Sequence, residues 1–223
     1  MKNLDKAKKD YFDILDYKEP IIKIYLVRHG QTNANRDGII FGQMNWDLNK
    51  TGIKQAKRVA AKLFNLTKDK QIHCLISSPL LRTRHTGKII SKKLKLKKTI
   101  INKDLIERSE GSWEGRTYWQ VRKEDPKNYL RWVKEPFNNK PPQGESIYEL
   151  SLRVKQFYKS LLSKYKGGNI IIVSHSGPIK MFLLNLLGLN INKFWNLKID
   201  CGSYTEIHLS KKHYVLVSTN NKF

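Results

Sequence analysis

Two histidines stand directly beyond apolar runs of strand length. Ile21 to Val27 (IIKIYLV) leads into Arg28-His29-Gly30, and Asn169 to Ser174 (NIIIVS) leads into His175-Ser176-Gly177-Pro178. A third run, Ile72 to Ile76, is followed by Ser77-Ser78-Pro79 and then Arg82. A histidine at the carboxyl end of a strand faces the crevice where α/β sheets bind ligands. Its imidazole supplies a nucleophile or an acid–base group that titrates near neutral pH. Gly30 leaves room for close backbone approach. Either histidine alone reads more readily as structural. Two of them, each with a glycine close behind and a polar loop beside it, favour a reactive site.

The elements that would position these groups alternate between strand and helix. After the first strand comes a polar loop through Asn33, Asn35, Asp37 and Gly38. A helix capped by Asn49 or Thr51 then presents Ile53, Ala56, Ala60 and Leu63 at helical spacing. Leu80 to Leu94 reads as helix and Thr99 to Asn102 as a short strand. Asp104 to Pro142 reads as irregular, with one helix near Tyr118–Lys123. Ser146 to Tyr165 is amphipathic on Ile147, Leu150, Val154, Phe157 and Leu161, and Gly167-Gly168 would end it. Helix returns over Ile179–Leu187, and strands follow near Tyr204–Leu209 and His213–Val217. The alternation predicts a three-layer α/β/α sandwich with a mainly parallel central sheet. If the sheet is parallel, Arg28-His29, Arg82 and His175 converge on one edge. Residues 1–20 read as a polar extension and 21–223 as one domain, with a lid-like insertion at about 108–145.

Composition narrows the class. The 223 residues carry 43 Lys and Arg against 19 Asp and Glu, a formal charge of +24, with 39% hydrophobic residues. That is too apolar for a disordered basic tail. No apolar run approaches the roughly 18 residues that span a bilayer. Residues 1–20 lack the apolar stretch of a signal peptide. Cys74 and Cys201 make neither a disulfide framework nor a metal-ligand spacing and read as small buried hydrophobes. A cytoplasmic globular protein is expected. Residues 50–103 hold sixteen basic residues and one acidic, and 104–149 hold eight and nine. The densest run, Lys92 to Lys98 (KKLKLKK), has no interleaved aromatics and reads as a solvated face rather than a nucleic-acid patch.

Leu26-Val27-Arg28-His29-Gly30-Gln31-Thr32 resembles the signature of the histidine phosphatase superfamily, which includes the cofactor-dependent phosphoglycerate mutases. The likeness continues in order. Phe41-Gly42-Gln43, Asp47-Leu48, Thr51-Gly52 and Gln55-Ala56 are similar to the loop and helix after the signature. Ser77-Ser78-Pro79-Leu80-Leu81-Arg82 with Thr86 is similar to the segment of the second arginine. Leu105-Ile106-Glu107 with Gly111-Ser112-Trp113-Glu114-Gly115, Gly144-Glu145-Ser146 and Val173-Ser174-His175-Ser176-Gly177 complete it. The resemblance implies a phosphoglycerate mutase-like fold and no metal or other cofactor. It implies that His29 attacks phosphorus and becomes a phosphohistidine, with Glu107 as general acid and then base. Arg28, Arg82 and a neutral or protonated His175 would neutralise the phosphate oxygens. Asn35, Gln43, Thr32, Ser176 and Gly177 would add hydrogen bonds to phosphate or substrate.

Phosphatases and mutases of this kind share that chemistry. Tyr118 to Ser146 lacks the adjacent arginine pair of the mutases, holding Arg122 and Arg131 apart. Its prolines, the Gly-Glu-Ser sequence and Gln43 after Gly42 are similar to the phosphatase branch. Arg108 directly after Glu107 leans toward a 2,3-bisphosphoglycerate-dependent mutase. The expected activity is therefore hydrolysis of a small phosphomonoester, with the mutase as alternative and a basic RNA- or lipid-binding protein with vestigial catalysis as a second. No specific nucleic acid or membrane partner is expected. By the same pattern Glu110 and Glu114 are not the acid, Arg84 and His85 face solvent or pack, and His73, His208 and His213 are structural or exposed. Trp113, Trp119 and Trp132 are expected in the core or lid.

Overall fold

The computed structural model describes residues 22–68, 71–210 and 214–222. The N-terminal extension and His213 lie outside the described residues. Six strands form one sheet: β1 Ile22–Arg28, β2 Ile72–Ser77, β3 Thr99–Ile101, β4 Gly168–Ser174, β5 Tyr204–Leu209 and β6 Tyr214–Asn221. Their order is β3-β2-β4-β1-β5-β6. The first four in that order run parallel, and β5 and β6 complete the sheet antiparallel.

The central strands are apolar on both faces because both faces are covered. Ile24 and Leu26 of β1, with Ile170 and Ile172 of β4, pack against the long helix α6 (Ile147–Lys164) and α7 (Ser176–Leu186). The alternate residues Tyr25, Val27, Ile171 and Val173 pack against α2 (Lys50–Thr67) and α3 (Leu81–Leu94). Two-residue periodicity thus divides one apolar run between two cores. α2 is capped by Asn49, whose side chain accepts from Gly52 N at 2.8 Å. α6 opens on a capping box between Ser146 and Glu149.

Several boundaries differ from the sequence reading. The polar loop contains a single helical turn, α1 (Asn33–Arg36), capped by Thr32. α6 stops at Lys164, with Tyr165 as its cap, so Gly167-Gly168 does not end it. Gly168 instead opens β4 at φ +92°, with the His73 ring where a β-carbon would lie. α7 begins three residues before Ile179, because a proline is tolerated in a first turn. The segment read as mostly irregular holds two helices, α4 (Tyr118–Glu124) and α5 (Pro126–Lys134). They bury Val121 and Trp132 with Ile40 and Trp113 in a third, separate cluster, whereas Trp119 is exposed. Short 3₁₀ turns cover Lys103–Leu105, Gly111–Trp113 and Ile191–Asn196.

Candidate active site

Strand register brings the two histidines together. Arg28 pairs with Ser174 across the β1–β4 ladder, so His29 and His175 leave the sheet side by side. His29 N donates to Ser174 O at 3.1 Å, and the rings lie 5.2 Å apart. β2 ends beside them, where Ser78 N donates to Val173 O at 3.0 Å. α3 follows at once and carries Arg82 into the same space.

The hydrogen bonds assign the tautomers. His29 Nδ1 lies 2.7 Å from Gly30 O. A carbonyl only accepts, so Nδ1 carries the proton and Nε2 has a free lone pair. Arg82 Nε donates to His175 Nδ1 at 3.2 Å, so the His175 proton sits on Nε2 and points at Ser78 Oγ, 2.8 Å away. Burial pushes both imidazoles well below their ordinary pKa, and the Arg82 and Arg28 charges push the same way. The expected range for His175, neutral to protonated, therefore narrows to neutral.

Arg82 is wholly buried. Its guanidinium donates to Gly42 O at 2.6 Å and Met44 O at 2.8 Å and lies 4.7 Å over the Phe41 ring. Burial lowers its pKa to about 10, which still leaves it charged at neutral pH. Arg28 donates to Ile199 O at 2.6 Å, and its Nε is buried with no partner among the described residues. The pocket is closed over: His29 is 1% exposed, and Arg82 and His175 0%. The room at Gly30 is filled by backbone, since a β-carbon there would lie 2.3 Å from Gly52 O at the start of α2.

Three carboxylates surround the site with different surroundings. Glu107 accepts from Arg108 N at 2.9 Å and from Gly177 N, at the start of α7, at 3.3 Å. Glu114 is a strap, accepting from Gln43 N at 2.9 Å and Glu110 N at 3.0 Å. Glu110 is partly buried and bonded to Arg108 Nη2 at 2.5 Å. Burial raises its pKa to about 7 against the pull of Arg108.

The remaining expected residues divide. Ser176 and Gly177 stand at the head of α7, beside Glu107. Gln43 donates from its side chain to Glu107 O at 3.0 Å. Thr32 is buried, and it exchanges capping hydrogen bonds with Asn35 at 3.1 Å. Gln43 and Thr32 therefore brace the site. Outside the site, His85 pairs with Asp47 at 2.7 Å, His73 is exposed and Arg84 is exposed. Cys74 is buried, and Cys201 is only partly so.

Sequence reasoning missed Arg153. From α6 it forms a two-pronged pair with Glu145, at 3.0 and 2.7 Å. The same guanidinium donates to Asp104 O and Ile106 O, at 2.7 and 2.9 Å. It thereby holds the backbone that ends in Glu107. The Gly-Glu-Ser sequence was visible, but its partner eight residues on was not.

Comparison with known proteins agrees with this arrangement. The family model of the histidine phosphatase superfamily (branch 1) matches residues 24–222. Phosphoserine phosphatase 1 of Hydrogenobacter thermophilus is 32% identical over 201 residues, covering 90% of this chain and 92% of that protein. The adenosylcobalamin/alpha-ribazole phosphatase of Escherichia coli is 29% identical over 201 residues, covering 90% and 97%. The crystal structure of the alpha-ribazole phosphatase from Shigella flexneri superposes with a TM-score of 0.82 at 29% identity, over 89% of this chain and 96% of that one. With matching motifs, fold and length, the chain belongs to the histidine phosphatase superfamily, branch 1, whose named relatives here are phosphatases.

Proposed function

We propose that this phosphatase hydrolyses a small phosphomonoester through a phosphohistidine on His29 Nε2. The observation that carries the reading is the 2.7 Å contact from His29 Nδ1 to Gly30 O, which leaves Nε2 unprotonated and aims it. Depression of the His29 pKa keeps that lone pair available at neutral pH. In the first step Nε2 bonds to phosphorus as the ester P–O bond breaks. Glu107, as a carboxylic acid, gives its proton to the departing oxygen. In the second, the Glu107 carboxylate takes a proton from water as that water attacks phosphorus and the P–N bond breaks. Inorganic phosphate leaves and His29 is restored.

Charge stabilisation falls to Arg28, Arg82 and His175. Arg28 Nε–H is buried without a partner among the described residues, and an oxyanion would satisfy it. Arg82 keeps the His175 ring in one tautomer while its remaining N–H groups serve the phosphate. Asn35, Ser176 and Gly177 are the proposed substrate contacts, and Thr32 and Gln43 position the loop. Because His29 is buried, substrate entry would need the cover over it to move. Glu114 bonds the Phe41–Met44 loop to the insertion at about 108–145, so these two segments would move together as one lid.

The feature that leaned toward a mutase has another occupation. Arg108 is buried and committed to Glu110 and to Glu145 O, at 2.5 and 3.2 Å. Phosphoserine and alpha-ribazole phosphate, named for the relatives, are first candidates as substrate. The test is rapid quenching with a ³²P-labelled phosphomonoester. Label is expected on the protein, lost in acid and stable in base, and absent from His29→Ala. Parallel assay of 3- to 2-phosphoglycerate conversion separates the mutase: conversion outpacing phosphate release would overturn the hydrolase reading.

A further inference from the structure

We propose that Lys180 is a specificity-determining residue that receives a carboxylate on the leaving group of the substrate. The inference rests on the reading of Glu107 as proton donor to the leaving oxygen. Lys180 lies on α7 one turn beyond Ser176-Gly177, and Gly177 N donates to Glu107 Oε2 at 3.3 Å. What borders Glu107 on this side borders the departing group.

Two aromatic faces hold the ammonium in place. Lys180 Nζ lies 4.8 Å from the Phe194 ring centroid and 5.5 Å from that of Trp195. Trp195 is half-exposed and meets Trp132 edge-on at 6.3 Å, and the Arg108 guanidinium lies 5.9 Å from the Trp132 centroid. An aromatic wall with two cations thus flanks Glu107. The two cations are not equivalent. Arg108 is neutralised by Glu110 at 2.5 Å. Lys180 makes no ion pair among the described residues. It is partly buried, which lowers its pKa, while the Glu107 charge opposes that shift.

A partly desolvated, unneutralised cation favours one compact anionic group. A second phosphate carries up to two charges, and the other cation of this wall is already committed. One ammonium matches one carboxylate. A packed lysine stem alone would also sit against aromatic rings, and only substrate dependence separates that role from recognition.

The experiment compares 3-phosphoglycerate with glycerol 3-phosphate, which keep a phosphate ester on a three-carbon skeleton and differ in the carboxylate. Fructose 1,6-bisphosphate serves as the second-phosphate arm. Wild type should favour 3-phosphoglycerate over glycerol 3-phosphate by about tenfold or more in kcat/KM, the scale of a hydrogen bond to a charged group. Lys180→Met should collapse that ratio mainly through KM, and Lys180→Arg should restore it. Lys180→Gln is a second removal variant should Lys180→Met not fold. No preference in the wild type overturns the proposal, as does an equal loss on both substrates in the removal variants. A Lys180-dependent preference for the bisphosphate over 3-phosphoglycerate also overturns it. Phosphate release without any preference sinks only this assignment, whereas no release from any phosphomonoester would sink the phosphatase reading beneath it.

Discussion

Glu107 and Gly177 are in such close contact that a β-carbon on Gly177 would fall 2.3 Å from Glu107 Oε1. The glycine is required by its neighbour, because its φ lies outside the left-handed region that favours glycine. Alanine suits a helix better than glycine by up to about 1 kcal/mol, so Gly177→Ala should fold well. It should also displace the carboxylate and cut kcat by about tenfold or more, as small misplacements of catalytic groups do. Melting temperature and turnover measured on the same preparation test this, and unchanged turnover would show that the carboxylate position does not matter.

Glu107→Gln should slow turnover by about 100-fold or more, the usual scale of acid–base catalysis. Glu110→Gln should be far milder, because Glu110 faces Arg108. A reversed order of the two rates would move the acid–base role to Glu110, whose raised pKa of about 7 would suit it.

The pH dependence of kcat/KM should carry the mark of His29. The attacking form is neutral, and burial holds its pKa below the ordinary 6.5. Activity should therefore persist as pH falls through 6.5, after correction for the substrate phosphate, which titrates near pH ~6. An acid limb centred at or above 6.5 that remains after this correction would contradict the buried, cation-flanked imidazole.

Stability should fall on acidification below pH 6.5. There the unfolded chain protonates His29 and His175, while the folded chain, with both pKa values depressed, does not. Each site removes up to about 1.4 kcal/mol per pH unit in that window. Glu110 acts in the opposite sense. Its folded pKa of about 7 exceeds the ordinary 4.5, so its contribution is present at low pH and lost as pH rises between those values. Denaturant unfolding at pH 5.0, 5.5, 6.0 and 6.5 should give a steeper acid loss for Glu110→Gln than for wild type. A shallower one would contradict the sign.

Much of this site was legible without coordinates. Two strand-end histidines, a helix cap at Asn49 or Thr51, and the apolar run Ile21 to Val27 are local properties. They depend on spacing, capping chemistry and local hydrophobicity, all of which the chain carries in order. The helix at Pro126–Lys134 was harder to read. Its buried Trp132 packs with residues of other segments, Ile40 and Trp113 among them, and its neighbours are rich in proline and charge.

Tertiary structure decided what depends on pairs far apart in the chain. Ladder register set Arg28 against Ser174 and so put His29 beside His175. Packing of α3 under the Gly42–Met44 loop turned Arg82 into a brace for His175. Arg153 reached back from α6 to hold the segment of Glu107, and Glu110, Glu114 and Glu107 acquired different tasks from different neighbours. The residue types determined that phosphoryl chemistry was within reach. Burial and hydrogen-bond partners determined which His29 nitrogen carries the proton and which carboxylate sits against the head of α7. Those are properties of surroundings, and a sequence does not state them until the chain is folded.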